Sequence, residues 1–241
     1  MSELPPGVVV IPAHGRGTRL RAVTGGRAKT LVEVAGEPIL ARLLRAAAVD
    51  GARVVVYARP GDADVPACVA ACGQGAEVKR REPMGYLRDL MDITADAGDR
   101  FTVLDCDLVA PHAEVAGFLA DTRRHERANM LFGVSATPAS ADPRSIRVLA
   151  GDDGAMGLGD GAASQLPRAV GAYGWRPPAV AEARKFVAGE RGSFHDFMEF
   201  LAARGELVAL VTFSAALNVN TPGDLELARK LVSEWRARGL E

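Results

Sequence analysis

Aromatic residues, cysteines and net charge are all scarce in this chain, and each scarcity excludes a class of protein. Aromatics make up 5% of the 241 residues, so Ala, Val and Leu must supply most of the core. The formal net charge of -1 gives no overall positive field that would recruit nucleic acid or an anionic membrane. The cysteines, Cys68, Cys72 and Cys106, lack the CxxC spacing of a zinc site and are expected to be buried free thiols.

Long apolar segments are also missing. No run approaches the length of about 20 residues that a membrane-spanning helix needs. The opening residues, MSELPP, lack the basic and apolar stretches of a signal peptide. We therefore expect a cytoplasmic protein with no nucleic-acid or membrane partner, and the sequence leaves open whether it forms a homodimer.

Strand and helix patterns alternate along the chain. Short β-branched runs indicate buried strands at 7–12, 53–57, 77–81, 101–104, 130–135 and 207–213. Apolar residues at helical spacing indicate helices at 38–49, 64–72, 85–97, 113–125, 179–187, 194–204 and 224–238. This order predicts a Rossmann-like, three-layer α/β fold, with helices on both faces of a mixed, mostly parallel central sheet.

The segment 142–178 differs from the rest because it is rich in glycine and only weakly periodic. Gly151-Asp152-Asp153-Gly154 is a hairpin-turn signal within it. We expect a strand-and-loop insertion over the sheet rather than a separate domain.

A glycine-containing loop follows the first strand. Gly15 and Gly17 would let the backbone approach an anion closely, so that its N–H groups point at phosphate oxygens. Arg19 and Lys29 add two cations. The loop has neither the GK[ST] ending of a Walker A motif nor the third glycine of a dinucleotide fingerprint, where Leu20 stands. Taken alone, it is also compatible with a tight connection that carries solvated arginines.

The string IPAHGRGTRL at 11–20 resembles the LAAGxGTRL loop of the sugar-1-phosphate nucleotidyltransferases. In that family the loop is followed by xPLTxxxPKxLVPVxGKPIL, and here by RAVTGGRAKTLVEVAGEPIL, with the same interval between arginine and lysine. Molybdenum-cofactor guanylyltransferases and isoprenoid-pathway cytidylyltransferases use a shorter interval. The resemblance implies that Gly15, Gly17 and Arg19 hold the β- and γ-phosphates of an NTP, and that Lys29 contacts the reacting phosphates. The other loop residues expected at the nucleotide are Ala13, His14 and Thr18.

This loop departs from the family pattern at several positions. Two prolines of the family are Ala22 and Ala28 here, a change that should loosen the loop without removing a chemical group. His14 replaces a small residue in the turn. Its side chain is expected to be a hydrogen-bonded structural histidine, with contact to the nucleotide as the alternative.

Carboxylates lie at the end of the buried strand at 101–104. Ligands of open α/β sheets bind at the carboxyl ends of strands, and Mg²⁺ favours carboxylate and phosphate oxygens. Asp107 aligns with the metal-binding aspartate of the family's LNGDVL segment, with Cys106 in the place of its glycine. Asp105 is expected to support this site rather than to bind the metal. Without the resemblance, Asp107 is also compatible with a cap on the following turn.

The segment LNVNTPGDL at 217–225 follows a strand and opens a helix. Thr221 is expected to cap that helix, with Pro222 and Asp224 in its first turn. The string also resembles the NVNTPEDL and DVDTPEDL endings of the superfamily, and the asparagine version occurs in its molybdopterin-type branch. The resemblance implies a second metal contact from Asn218 and an acceptor contact from Asn220.

Two more segments resemble parts of the family. Gly85, in EPMGYL, matches the LGTA segment that contacts base and ribose, and its alternative role is to begin a helix. Gly171 and Tyr173, in VGAY, match an acceptor-binding strand. The EKP motif, whose lysine grips the acceptor phosphate, is absent, so Arg168 or Lys185 would have to replace it.

The resemblance as a whole implies a Mg²⁺-dependent nucleotidyltransferase that joins the NMP unit of an NTP to a sugar 1-phosphate and releases pyrophosphate, as in NDP-sugar biosynthesis. We expect one domain, 1–241, in which 1–135 mainly binds the NTP and 136–241 mainly binds the acceptor. The missing EKP motif and Asn218 leave open a cytidylyl- or guanylyltransferase for a non-sugar acceptor, such as phosphocholine, a phosphonate or a cofactor phosphate. A catalytically degenerate nucleotide-binding regulatory protein is the third alternative.

Overall fold

The computed structural model describes most of the chain. The described residues are 7–15, 17–20, 24–49, 51–135, 146–158, 167–189 and 193–241, without the side chains of Thr18 and Val49. Ala22 and the stretches 142–145 and 159–166 lie outside the described residues, so the expectations about them stay predictions.

Strands and helices alternate in the predicted order. The described strands are β1 (Val8–Pro12), β2 (Glu33–Val34), β3 (Glu37–Pro38), β4 (Arg53–Ala58), β5 (Glu77–Arg80), β6 (Phe101–Leu104), β7 (Leu108–Val109), β8 (Met130–Ser135), β9 (Val148–Ala150), β10 (Met156–Leu158), β11 (Arg168–Trp175), β12 (Val208–Phe213) and β13 (Leu217–Asn218). The α-helices are α1 (Ile39–Val49), α2 (Asp64–Cys72), α3 (Tyr86–Ala97), α4 (His112–Arg124), α5 (Pro177–Ala188), α6 (Phe194–Ala203) and α7 (Pro222–Ala237). The 3₁₀ turns Thr18–Leu20 and Lys29–Leu31 follow β1.

Seven of these strands form the central sheet. Their order is β5-β4-β1-β6-β11-β8-β12, and β11 alone runs antiparallel to its neighbours. The prediction of a mixed, mostly parallel sheet is therefore confirmed. Strands from both 1–135 and 136–241 contribute to this sheet. The division of the chain into an NTP-binding part and an acceptor-binding part stays a prediction.

Each face of the sheet carries its own hydrophobic core, because successive side chains of a strand point to opposite faces. Val9 and Ile11 of β1 belong to one cluster, together with Leu40 and Leu44 of α1. Val10 belongs to the cluster on the other face. A strand that is buried on both faces must be apolar throughout, which explains the VVVIP run. This packing fixes the end of β1, from which the glycine-containing loop begins.

The prediction for the segment 142–178 is wrong in one respect. Residues 151–154 do form the expected hairpin turn, between β9 and β10. However, β11 is not an insertion over the sheet but one of its inner strands, between β6 and β8. Its glycines obscure the apolar pattern, although close packing requires at least one of them. A Cβ on Gly174 would lie 2.8 Å from Cγ2 of Thr122 in α4.

The last helix begins with the predicted capping residues. The side chain of Thr221 accepts a hydrogen bond from the backbone N–H of Asp224 at 3.2 Å, and Oδ2 of Asp224 accepts one from the N–H of Thr221 at 2.7 Å. Pro222 occupies the first helical turn. The helix therefore starts two residues before the predicted Asp224, and its fixed start positions the residues just before it.

The cysteines are free, as expected, although they are partly rather than fully buried. Burial raises the pKa of Cys68 to about 11 and, with a smaller contribution from the charge of Asp107, that of Cys106 to about 12. None of the helices in the described ranges combines the length and the apolar character needed to cross a bilayer.

Candidate active site

The loop after β1 approaches the segment that carries Lys29. Gly17 has a φ of +54°, and a Cβ at this position would lie 3.0 Å from Cβ of Lys29. Gly17 is thus required by both its backbone conformation and its close contact with Lys29. Among the described residues, no atom lies within 4 Å of the position of a Cβ on Gly15, so these neighbours do not require glycine there. Arg19 follows in a 3₁₀ turn and donates a hydrogen bond to Oδ1 of Asn220 at 2.8 Å.

The C-terminal motif meets the acidic strand end through a short antiparallel pair. Leu108 of β7 pairs with Asn218 of β13, and the N–H of Val219 donates to the carbonyl of Asp107 at 2.9 Å. The pairing brings the Asn218 side chain beside Asp107, where its Nδ2 donates to Oδ1 of the carboxylate at 2.6 Å. Residues more than a hundred positions apart are thus joined at one edge of the sheet.

Lys29 connects the glycine-containing loop to this acidic edge. Its Nζ forms an ion pair with Oδ2 of Asp107 and donates to Oδ1 of Asn220 at 2.8 Å. The side chains of Lys29 and Asp107 are 13% and 14% exposed, so the pair is shielded from bulk water but still accessible. The structure therefore brings the predicted cations and the predicted metal ligands into one hydrogen-bonded network.

A cavity of about 370 Å³ opens above this network. The predicted site residues that line it are Ala13, Gly15, Gly17, Arg19, Lys29, Asp107 and Asn220. Lining residues that the sequence analysis did not assign to the nucleotide or the metal are Pro12, Leu20, Tyr86, Asp105 and Cys106. The side chain of Thr18 lies outside the described part of the chain. The roles of these residues in binding stay predictions.

Asp105 lines the cavity itself rather than only supporting its neighbour. Its Oδ1 accepts a hydrogen bond from the hydroxyl of Tyr86 at 2.5 Å. Burial, with a second contribution from the nearby charge of Asp107, raises the pKa of Asp105 to about 8. Burial also raises the pKa of Tyr86, so the phenol keeps the proton that it donates.

Gly171 of β11 packs directly against the side chains of Asn218 and Asp105. Its φ is +65°, and a Cβ there would lie 2.5 Å from Nδ2 of Asn218 and 2.9 Å from Oδ2 of Asp105. Its carbonyl also accepts a hydrogen bond from the N–H of Asp105 at 2.7 Å. The register of β11 against β8 shifts at this point, between Ala169 and Tyr173. Gly171 thus sets how closely β11 approaches the carboxylates.

Tyr173, another residue expected at the acceptor, is not among the described residues that line the cavity. Tyr173 is 5% exposed and packs edge-on against Phe132 and Phe194. Lys185 forms an ion pair with Glu182 on α5. Neither Arg168 nor Lys185 is among the described residues that line the cavity. Whether any of these residues contacts an acceptor stays a prediction.

His14 is a buried, hydrogen-bonded histidine, as the sequence analysis favoured. It is 3% exposed, and its Nε2 lies 3.0 Å from Oδ2 of Asp89 in α3. The other oxygen of Asp89 accepts a hydrogen bond from the N–H of Met84 at 2.8 Å. Gly85, which has a φ of +134°, immediately precedes α3. The pair therefore ties the loop after β1 to the turn that carries Gly85.

Arg59 is a residue at this site that the sequence analysis missed. Its Nε donates to the carbonyl of His14 at 2.9 Å, and its Nη2 contacts the carbonyl of Gly15. It follows β4, which lies parallel and next to β1, so both strands end at the same edge of the sheet. The sequence offered one sign of this residue, since Arg59 comes just after a segment that was predicted to be a buried strand.

The donor set fits one Mg²⁺ ion that is shared with a nucleotide. Among the described residues, no group of three or more His, Cys, Asp or Glu side chains is arranged to hold a metal. Mg²⁺ is usually held by one or two carboxylates together with substrate phosphates and waters, rather than by a cage of protein ligands. Asp107, with the amide of Asn218 beside it, meets that modest requirement.

Comparison with known proteins identifies relatives of the expected kind. No protein-family model matches the chain. It is 26% identical to the 3-deoxy-manno-octulosonate cytidylyltransferase of Methylorubrum populi, over 94% of this chain and 96% of that protein. It is 31% identical to the bifunctional IPC transferase and DIPP synthase of Rubrobacter xylanophilus over 94% of this chain, which spans about half of that protein, 52%. The predicted enzyme class, a nucleotidyltransferase, is thereby confirmed.

Solved structures share the fold over nearly the whole chain. The inositol-1-phosphate CTP transferase from T. maritima matches with a TM-score of 0.75 at 19% identity, covering 94% of this chain and 96% of that one. A Bacillus anthracis protein assigned as a glucose-1-phosphate thymidylyltransferase matches with a TM-score of 0.73 at 16% identity, covering 93% and 95%. The predicted fold class is confirmed by these matches.

Proposed function

We propose that this nucleotidyltransferase moves the CMP unit of CTP to the phosphate of a sugar 1-phosphate, with Mg²⁺ bound at Asp107 and with release of pyrophosphate. The observation that carries the proposal is the meeting of Arg19, Lys29 and Asp107 around one cavity. That cavity lies where the loop after β1 and the end of β6 come together, which is the edge at which open α/β sheets bind ligands.

The choice of CTP as donor rests on the relatives. The Methylorubrum populi protein is named a cytidylyltransferase, and the T. maritima structure is titled a CTP transferase. The sequence resemblance alone leaves the base open. The turn at Met84 and Gly85, held by Asp89, is the proposed contact for the base and ribose.

The cations on the cavity wall would neutralise the triphosphate. Arg19 is exposed and Lys29 partly buried, so both are accessible to a ligand that enters the cavity. Asn220 holds both cations by one oxygen, which keeps them close together before the nucleotide arrives. An anion that attacks another anion requires charge neutralisation and alignment more than a proton-transfer group.

Asp107 and Asn218 would hold the metal. A bound Mg²⁺ would supply positive charge to the phosphates during the transfer. The ion pair between Lys29 and Asp107 would have to open for this, which would release the ammonium group of Lys29 toward the phosphates. Rotation of the Asn218 amide would turn its carbonyl oxygen to the side where its Nδ2 now donates.

The proposed reaction makes one bond and breaks one. A phosphate oxygen of the acceptor attacks the α-phosphorus of CTP and forms a new P–O bond. The bond from the α-phosphorus to the bridging oxygen breaks, and the electron pair leaves with pyrophosphate. Lys29 and Arg19 would stabilise the negative charge that grows on this leaving group.

A sugar 1-phosphate is proposed as the acceptor because of the named substrates of the structural relatives, inositol 1-phosphate and glucose 1-phosphate. Within this chain, Tyr86 and Asp105 offer hydroxyl and carboxyl groups at the cavity that suit sugar hydroxyls.

Pyrophosphate release tests the proposal directly. The wild-type chain is incubated with each NTP, Mg²⁺ and a panel of sugar phosphates, with phosphocholine and an aminoalkylphosphonate as further acceptors. We expect release that requires CTP and a sugar 1-phosphate and that is lost with EDTA. Turnover only with a non-sugar acceptor would reject the proposed acceptor, and CTP binding without turnover would indicate a regulatory nucleotide-binding protein.

Two variants test the assigned roles. Asp107→Asn and Lys29→Met should each lower kcat by about 100-fold or more, since each removes a charge at the reacting phosphates. Asp99→Asn and Lys230→Met remove exposed charges away from the cavity and serve as matched controls. If both site variants kept more than half of the wild-type activity, the assignment would be rejected.

A further inference from the structure

Arg59 grips two successive carbonyl groups of the loop after β1. Its Nε donates to the oxygen of His14 at 2.9 Å, and its Nη2 contacts the oxygen of Gly15. A guanidinium group presents several N–H donors in a rigid planar arrangement, so one side chain can hold two acceptors in a defined direction. A lysine would offer one ammonium group without that fixed geometry.

The backbone that carries Arg59 is itself held in place. Arg59 follows β4, which pairs with β1 on one side and β5 on the other. From β5, Nη1 of Arg80 donates to the carbonyl of Arg59 at 3.1 Å and to that of Asp62 at 2.8 Å. The backbone from which the Arg59 side chain extends is therefore held in place by the neighbouring strands and by Arg80.

Holding a carbonyl also directs an N–H group. In a trans peptide the C=O and the N–H of the same plane point in opposite directions, and the described residues contain no cis peptide. Because the carbonyl of His14 points at Arg59, the N–H of Gly15 points away from it. Gly15 also lines the cavity at which Arg19 and Lys29 meet.

We propose that Arg59 is a positioning residue, which holds the carbonyl groups of the loop after β1 so that its N–H groups face the phosphates of a bound nucleotide. This inference rests on the proposed function, since it needs an NTP in the cavity. Arg59 is not among the described residues that line the cavity, so it need not touch the nucleotide. Its effect on binding is therefore indirect, through the direction of peptide groups that bind phosphate oxygens.

The test compares Arg59→Lys and Arg59→Met with Arg53→Met. Arg53 lies at the start of the same strand, is exposed, and pairs with Glu77, so its loss matches the change of charge without touching the loop. Calorimetric titration measures the affinity for CTP and for CMP, and steady-state kinetics give KM and kcat. Circular dichroism and thermal melting verify that the variants are folded.

We expect both Arg59 variants to weaken CTP binding by roughly tenfold and to change CMP binding by less than about twofold, because the loop contacts are with the terminal phosphates. KM for CTP should rise more than kcat falls, which is the pattern of a binding contact present before and during the reaction. Arg59→Lys keeps the charge, so a loss in this variant points to geometry rather than to long-range attraction.

Three results would overturn the inference: an Arg59→Lys variant that binds CTP like the wild type, equal losses for CTP and CMP, or equal effects of the changes at 59 and 53. The binding readout also separates the two proposals. A wild-type chain that binds CTP without releasing pyrophosphate would contradict the proposed reaction, yet the role of Arg59 would still be tested by affinity.

Discussion

The two sides of the cavity are built on different principles. We call one side the phosphate side, after its proposed role, and it consists of Gly17, Arg19, Lys29, Asp107 and Asn220. Lys29 pairs with Asp107, and the amide oxygen of Asn220 accepts hydrogen bonds from both Arg19 and Lys29. We call the other side the acceptor side, after its proposed role, and Tyr86 and Asp105 line the cavity there. Gly171 contacts Asp105, Phe194 packs against Tyr86, and Tyr173 packs against Phe194. Position on the phosphate side is set by charge pairs, whereas on the acceptor side it is set by close packing.

The two aspartates illustrate the contrast. Asp107 has the ammonium group of Lys29 as its partner, so its negative charge is compensated inside the protein. Asp105 instead accepts a hydrogen bond from the hydroxyl of Tyr86, and burial raises the pKa of Asp105 to about 8. The segment after β6 therefore presents, side by side, one carboxyl group paired with a cation and one whose pKa is raised by burial.

The largest expected loss of stability comes from breaking the close packing. Gly171→Ala places a Cβ 2.5 Å from Nδ2 of Asn218 and 2.9 Å from Oδ2 of Asp105, in a backbone conformation with a φ of +65°. We expect kcat to fall by at least about tenfold and the free energy of unfolding by about 2–4 kcal/mol, from overpacking together with backbone strain. Pyrophosphate release and urea denaturation measure the two effects.

Gly205→Ala is the matched control for this change. Gly205 has nearly the same φ, +64°, but no atom of the described residues lies within 4 Å of the position of its Cβ. The Gly205→Ala variant should lose about 1–2 kcal/mol of its free energy of unfolding, from backbone strain alone, and its kcat should not change. If both variants behaved alike, close packing at Gly171 would not be what orders the acceptor side.

The phosphate side could be predicted from the sequence because its residues lie in short local motifs. The interval from Arg19 to Lys29 and the aspartate after β6 can be recognised in the sequence itself. Because ligands of open α/β sheets bind at the carboxyl ends of the strands, these residues were expected at one site. The capping residues Thr221 and Asp224 also follow from local helix chemistry. What the strings did not reveal is that Asn220 bridges both cations.

On the acceptor side, Gly171 and Tyr173 were recognised as a motif, but the packing around them could not be predicted, because it is assembled from distant segments. The sequence of β11 carries glycines where an inner strand usually has apolar residues, so its place in the sheet was missed. The contact of Gly171 with Asn218 depends on a shift of register between β11 and β8. Arg59 escaped notice for a related reason, since its partners are backbone carbonyls that no motif encodes.

A smaller loss of stability is expected when the buried pair of His14 and Asp89 is broken. This change tests whether the position of the loop after β1 depends on that pair. Asp89→Asn replaces the acceptor at 3.0 Å from Nε2 by an amide. Nδ1 of His14 is buried with no partner among the described residues, so a change of tautomer would leave a buried proton unsatisfied. We expect a loss of about 1–3 kcal/mol in the free energy of unfolding, measured by urea denaturation.

The pair of His195 and Glu199 provides the control, since it also joins a histidine to a carboxylate, but on the surface, at 3.3 Å. Glu199→Gln should change stability by less than about 0.5 kcal/mol, because exposed ion pairs contribute little. An equal and small change in both variants would show that the phosphate-side loop does not rely on the buried pair.

The smallest effect concerns the partly buried imidazole of His112. His112 begins α4, and its Nε2 is buried with no partner in the described ranges. Burial lowers the pKa of His112 from 6.5, although the charges of Glu241 and Glu37 oppose the shift. Below pH 6.5 the unfolded chain therefore takes up a proton that the folded chain resists, so stability is present above that pH and is lost as the pH falls.

Urea denaturation of the wild type and His112→Gln at pH 8, 6 and 5 measures this contribution. The wild type should lose more stability than the variant as the pH falls, by at most about 1.4 kcal/mol per pH unit for one proton. His125→Gln, at an exposed histidine, should follow the wild-type curve. Parallel curves for the wild type and His112→Gln would show that this imidazole is protonated equally in both states, and that charge is tolerated there without a partner.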